Sequence, residues 1–207
     1  MTIDEKNRGQ VTPEQMYQLG NCYYHGENGF PKDQAEAYFW WRKAAEQGIV
    51  KSQVLLGHLY EDGTIVQQNY NEAYWWWEKA AESGDLEALH QIGWCYAQGH
   101  GVEVNPATAV KYYYHCAKNG FTMSQLNLAN HYIEGWGVEK NVNEAYHWWL
   151  KAAEQGNAQA QFNVAVCYLK GVAVEQNTQE ATKWLREAAG QGSADAQEYL
   201  KNHNIEW

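Results

Sequence analysis

The chain has 207 residues, 45% of them hydrophobic, with 15 Lys plus Arg against 25 Asp plus Glu and a formal net charge of −10. That length suffices for one sizeable core. The acidic excess is spread along the chain, which argues against nucleic acid as a ligand, because phosphate backbones are held by clustered Lys and Arg.

Residues 1–11 read as an N-terminal tail. The first helix is predicted to open at Thr12-Pro13-Glu14-Gln15, with proline at the first helical position, where its missing N–H is not needed. Its core face is Leu19-Gly20-x-x-Tyr23. Apolar residues four apart share a helix face, and the glycine between them lets a facing helix approach. Gly26 is the residue type that ends a helix in the left-handed conformation. A second helix begins at Asp33, and Glu36 three residues on completes the sequence of a capping box. It carries Ala37, the rings Trp40 and Trp41, and Ala45, and it closes at Gly48.

The unit then recurs. Glycines at Gly48, Gly84, Gly120, Gly156 and Gly192 are each 36 residues apart, and two helix-length segments fit one period. Such a period marks a solenoid whose units cannot bury their apolar faces alone. The later A helices carry Leu56-Gly57-x-x-Tyr60, Ile92-Gly93-x-x-Tyr96, Leu128-Ala129-x-x-Tyr132 and Val164-Ala165-x-x-Tyr168, ending at Gly63, Gly99, Gly135 and Gly171. The later B helices start at Asn69, Asn105, Asn141 and Asn177, with Glu72, Glu144 and Glu180 at the capping-box position and Thr108 in the third unit. Alanine never varies at Ala37, Ala73, Ala109, Ala145 and Ala181, nor at Ala45, Ala81, Ala117, Ala153 and Ala189. These are the expected helix-crossing points. Large rings lie between them at Trp40, Trp76, Tyr112, Trp148 and Trp184, followed by Trp41, Trp77, Tyr113, Trp149 and Leu185, so most of the 11 tryptophans read as core.

The first unit is one residue longer than the others, with the insertion in its A–B loop near Glu27-Asn28-Gly29. After Gly192, Ala194-Asp195-Ala196-Gln197 and Tyr199-Leu200 begin a sixth A helix. The predicted fold is all-α, one domain over residues 12–200: repeats at 12–48, 49–84, 85–120, 121–156 and 157–192, a capping helix at 193–200 and a tail at 201–207.

The succession Leu-Gly-x-x-Tyr, Gly-x-Gly-Val, Ala-x-x-Trp, Lys-Ala-Ala and a closing glycine resembles the Sel-one-like repeat (SLR), a relative of the tetratricopeptide repeat. It is clearest at Gly99-His100-Gly101-Val102, Gly135-Trp136-Gly137-Val138, Lys43-Ala44-Ala45, Lys79-Ala80-Ala81 and Lys151-Ala152-Ala153. The third unit departs with His115-Cys116-Ala117, and Gly63-Thr64-Ile65-Val66 lacks the second loop glycine. The resemblance implies a right-handed α/α superhelix acting as an adaptor or scaffold, with no shared active site. By analogy with tetratricopeptide geometry, the A helices line the concave side and their free faces meet the partner.

Aligned on the Leu-Gly pair, Tyr17, Val54, His90, Leu126 and Phe162 precede the repeated apolar position by two, and Asn21, His58, Trp94, Asn130 and Val166 follow it by two. One turn later stand Tyr24, Glu61, Ala97, Ile133 and Leu169. These positions change identity while their neighbours repeat. The candidate partner-binding set is therefore Tyr17, Asn21, Tyr24, His58, Glu61, His90, Trp94, Asn130 and Ile133, with Trp94 as the expected anchor. Phe39 and Trp75 align with Lys111, His147 and Lys183, which predicts a solvent-facing row on the B helices.

No histidine pairs with another at three or four residues, and no nucleophile elbow or phosphate-cradling loop appears, so no cofactor or metal is expected. Cys22, Cys95 and Cys167 share one A-helix position and Cys116 lies in a B helix, a pattern unlike the staples of secreted SLR proteins, and free interior thiols are expected. The start Met1-Thr2-Ile3-Asp4-Glu5-Lys6 has no apolar signal segment, and no run long enough to cross a membrane occurs, so the expected setting is cytoplasmic. The first functional expectation is a non-enzymatic scaffold for one protein partner of basic or mixed surface. The alternatives are an immunity-type inhibitor of a toxic effector enzyme and a hydrolase acting on cell-wall-like material.

Overall fold

The structure, a computed structural model, describes residues 11–206. The expected N-terminal tail, apart from Val11, lies outside the described residues. Eleven helices follow in order: α1 (Pro13–His25), α2 (Gln34–Glu46), α3 (Val50–Asp62), α4 (Tyr70–Ala81), α5 (Leu86–Gln98), α6 (Pro106–Lys118), α7 (Thr122–Glu134), α8 (Val142–Glu154), α9 (Ala158–Lys170), α10 (Thr178–Gly190) and α11 (Ala194–Asn202). Odd-numbered helices are the A helices and even-numbered ones the B helices. The described residues contain no strand.

Helix ends follow the local chemistry with one correction. Thr12 and Gln15 form a reciprocal capping box at the start of α1. At α2, α4, α8 and α10 only half of the expected box is made. Asp33, Asn69, Asn141 and Asn177 each accept from two first-turn amides. Their own backbone N–H groups, however, donate to the carbonyls of Tyr23, Tyr60, Tyr132 and Tyr168 at 2.8–3.0 Å. That donor is the one a capping-box glutamate would have bound. The repeated tyrosine of the A helix thus anchors the next B helix through its backbone, and Glu36, Glu72, Glu144 and Glu180 are released from that task.

Backbone contacts divide the chain into two compact units, residues 1–104 and 105–207. In the first, Ala37, Trp41, Ala45, Leu56, Leu59 and Trp76 form a buried cluster. Burying a leucine such as Leu56 or Leu59 contributes about 1.5–3 kcal/mol. In the second, Ala165, Ala181, Leu185, Ala188, Ala189, Ala196 and Leu200 do the same, and Ile205 packs against them. Residues 203–206 are therefore not a free tail: Ile205 donates its N–H to the Leu200 carbonyl, and Arg186 Nε donates to the Glu206 carbonyl.

Small A-helix residues are a spatial requirement. A Cβ on Gly20 would run into the indole of Trp41, and one on Gly57 into that of Trp77. The rings Trp40, Trp76 and Trp148 are buried as expected, whereas Tyr112 and Trp184 are half-buried. The second loop glycine abuts the B helix one repeat back. A Cβ on Gly101 would lie 2.6 Å from the Tyr70 carbonyl oxygen, and Ala173, in the same place in the last loop, holds φ at +62°.

Candidate binding grooves

The spacing 17, 21, 24 puts three side chains on one face of α1. In the first unit Tyr17, Asn21 and Tyr24 meet His58 and Asp62 of α3 across the indole of Trp41, around a cleft of about 400 Å³. The indole is held from both sides. Its Nε1 donates to Asn21 Oδ1 at 3.0 Å, and the Tyr24 ring leans on it with centroids 5.4 Å apart. Four of the nine candidate residues therefore line one groove. Glu61 joins through His58, whose Nδ1 and Nε2 lie 3.1 Å from Glu61 and 3.1 Å from Glu87.

Trp77 occupies the Trp41 position one repeat on, but its indole N–H is buried with no hydrogen-bond partner, because His58 stands where Asn21 does and turns to the two carboxylates.

Two candidates in the first unit behave differently. His90 is 7% exposed, and burial lowers its pKa to about 4, so its imidazole is a neutral packing group with little surface for a partner. Trp94 is half-buried and meets the edge of His100 at 4.5 Å, while His100 stacks on Tyr70 at 3.9 Å. The indole at 94 thus has an internal reason. It goes with a histidine whose counterparts in the other loops are Glu27, Thr64, Trp136 and Val172.

In the second unit Asn130 accepts from Trp149 Nε1 at 3.1 Å, repeating the Asn21 arrangement. Ile133, Trp149, Val166, Cys167 and Lys170 line a smaller cleft of about 240 Å³. Part of the sequence variation read as partner contact is therefore internal pairing: an asparagine accompanies a tryptophan at 21/41 and at 130/149.

On the B helices Phe39 and Trp75 are 40% and 45% exposed, in the expected outward row, with the Lys43 ammonium 4.7 Å from the Phe39 ring. The four cysteines are free, and three are buried. Burial, with the Glu61 carboxylate adding to it, pushes the Cys95 thiol to about 12. Among the described residues no group of three His, Cys, Asp or Glu side chains could hold a metal ion, and no helix is long and apolar enough to cross a membrane.

Sequence reasoning missed two repeat-to-repeat links. Buried Gln53, Gln125 and Gln161 and half-buried Gln197 donate to the carbonyls of Ala45, Ala117, Ala153 and Ala189 at 2.9–3.3 Å. Tyr38 and Tyr60 share a hydroxyl–hydroxyl bond of 2.7 Å, and Tyr146 and Tyr168 one of 3.3 Å. Burial, then the Tyr38 bond, raises the Tyr60 pKa to about 12. The signal was present in the period, since glutamine occupies four of the five equivalent positions and Leu89 the fifth.

Paired helices with a fixed period, close crossings at small residues and surface grooves define a helical-repeat solenoid protein. The Sel1 repeat family model matches residues 13–49, 50–85, 86–120, 122–157 and 158–193, and the chain belongs to this family. Its repeats generally act as non-catalytic scaffolds in protein–protein interaction. A Sel1 repeat protein from Oxalobacter formigenes is 32% identical, with a TM-score of 0.85, over 92% of this chain and 77% of that one. A protective antigen of uropathogenic Escherichia coli displaying an SLR fold is 37% identical, with a TM-score of 0.82, over 92% of this chain and 41% of that one. An immunity protein from Pseudomonas aeruginosa shares the fold at 20% identity and a TM-score of 0.57, over 92% of this chain and 72% of its own. An ERAD-associated E3 ubiquitin-protein ligase component of Arabidopsis thaliana is 40% identical over 48 residues, 23% of this chain and 7% of that protein. The chain thus spans less than half of that antigen and a small fraction of the plant protein.

Proposed function

We propose that the chain is a non-enzymatic scaffold that binds a protein partner on the free faces of its A helices. The observation that carries this reading is the first-unit groove, where Tyr17, Tyr24 and His58, all at positions that vary along the repeat, converge on one cleft. A half-exposed aromatic on a rigid helical wall is the kind of group that carries interface energy. Affinity capture from the native cell with the wild type and with Tyr24→Ala tests it. The expected result is one partner lost from the variant while helical circular dichroism is unchanged; identical capture by both removes Tyr24 and its groove.

The charge of −10 favours a second reading, an immunity-type inhibitor of a basic effector enzyme. Association would then be electrostatically steered and would slow steeply with salt. A partner whose capture rate is insensitive to ionic strength rules that reading out.

A further inference from the structure

The two grooves provide an internal comparison. Trp41 and Trp149 are equivalent, and each is fixed by the equivalent asparagine, Asn21 or Asn130. Around that constant frame the lining changes in register: Tyr24 becomes Ile133, His58 becomes Val166 and Asp62 becomes Lys170. Among the described residues, the only Asp, Glu, Lys or Arg lining the first groove is Asp62, and the only one lining the second is Lys170. The fold tolerates either sign at this exposed rim.

We propose that the first groove takes a partner segment in which a basic side chain stands beside an aromatic or aliphatic one, with Asp62 as its counter-charge. This rests on the scaffold reading and specifies its ligand. One Asp62 oxygen holds the Thr64 N–H at 2.8 Å, and a carboxylate can accept further donors. Tyr24, 36% exposed, presents a ring beside that rim, and the negative face of an aromatic ring attracts cations. Glu61 and Glu87 lie behind the rim on His58. An acidic ligand would approach three carboxylates; the groove histidines, His25 and His58, offset them only when protonated. Lys170 gives the second groove the opposite preference.

The test uses the full chain and three fluorescently labelled octapeptides of glycine and serine with Arg-Trp, Glu-Trp or Arg-Ser at the centre. Binding is followed by anisotropy and by backbone amide shifts. The Arg-Trp peptide should bind roughly tenfold tighter than Glu-Trp and shift the amides of Tyr24 and Asp62, and Asp62→Lys should reverse that order. Shifts in the groove without a charge order, or an order that survives Asp62→Lys, overturn this inference while leaving the scaffold reading standing. If no peptide shifts a groove amide, the groove fails as a docking site and both readings fall together.

Discussion

Trp41 and Asn21 are joined by a 3.0 Å hydrogen bond from the indole N–H to the amide oxygen, and Trp149 and Asn130 repeat it at 3.1 Å. Trp77, in the same register, has His58 in place of the asparagine, and its N–H is left without a partner. A buried donor that loses its acceptor costs about 1–3 kcal/mol. Asn21→Ala and Asn130→Ala should each destabilise by about that amount in thermal melts. His58→Asn should go the other way and raise the melting point. It supplies Trp77 with an acceptor and gives up His58 contacts to partly exposed carboxylates, which are worth little, and an edge contact with the Trp77 ring at 5.5 Å, which the new hydrogen bond should outweigh.

Ala173 holds a left-handed conformation where Gly101 and Gly137 hold it in earlier loops. A non-glycine residue in that region costs about 1–2 kcal/mol, and glycine gives back part of the gain through the freedom of the unfolded chain. Ala173→Gly should therefore stabilise by about 0.5–1 kcal/mol, read as a higher urea midpoint with an unchanged slope.

Acid should weaken the fold through His90. Its folded pKa is about 4 against the ordinary 6.5, because burial disfavours the imidazolium. The unfolded chain takes the proton first, so stability is full above about 6.5 and is lost as pH falls toward about 4. The loss is at most about 3 kcal/mol. His131, also lowered by burial and partly held up by its bond to the Trp136 carbonyl, acts in the same direction. Melting points measured between pH 7 and pH 4 should fall less steeply in His90→Gln than in the wild type.

Thiol chemistry should sort the cysteines. Cys22 is half-buried, whereas Cys95, Cys116 and Cys167 are buried, and burial raises the Cys95 and Cys167 thiols. A disulfide-exchange reagent should modify Cys22 in the native chain and the other three only after denaturant is added. Rapid native reaction at Cys95 would contradict its placement.

The repeat, the helix ends and the crossing points were legible because each depends on residues a fixed few positions apart. Gly20, Ala37 and Asp33 act through local spacing, and local spacing is what a sequence displays. The capping glutamates misled because the competing acceptor, a tyrosine carbonyl, belongs to the preceding helix. The glutamine links were periodic and visible in principle, but their acceptors are backbone carbonyls eight residues away, across a turn between helices.

The candidate face was legible only in part. Variation among repeats marks positions that packing does not fix, and Tyr17, Tyr24 and His58 do reach a common groove. Variation also marks positions that packing fixes differently in each repeat: Asn21 and Asn130 are engaged by indoles, His90 is buried, and Trp94 meets His100. By itself the sequence determined the period, the helices and their caps, which follow from backbone hydrogen bonding and side-chain volume within one unit. Only the tertiary structure decided which variable side chains turn outward, because that depends on whether a neighbouring helix offers each polar group a partner or leaves it to solvent.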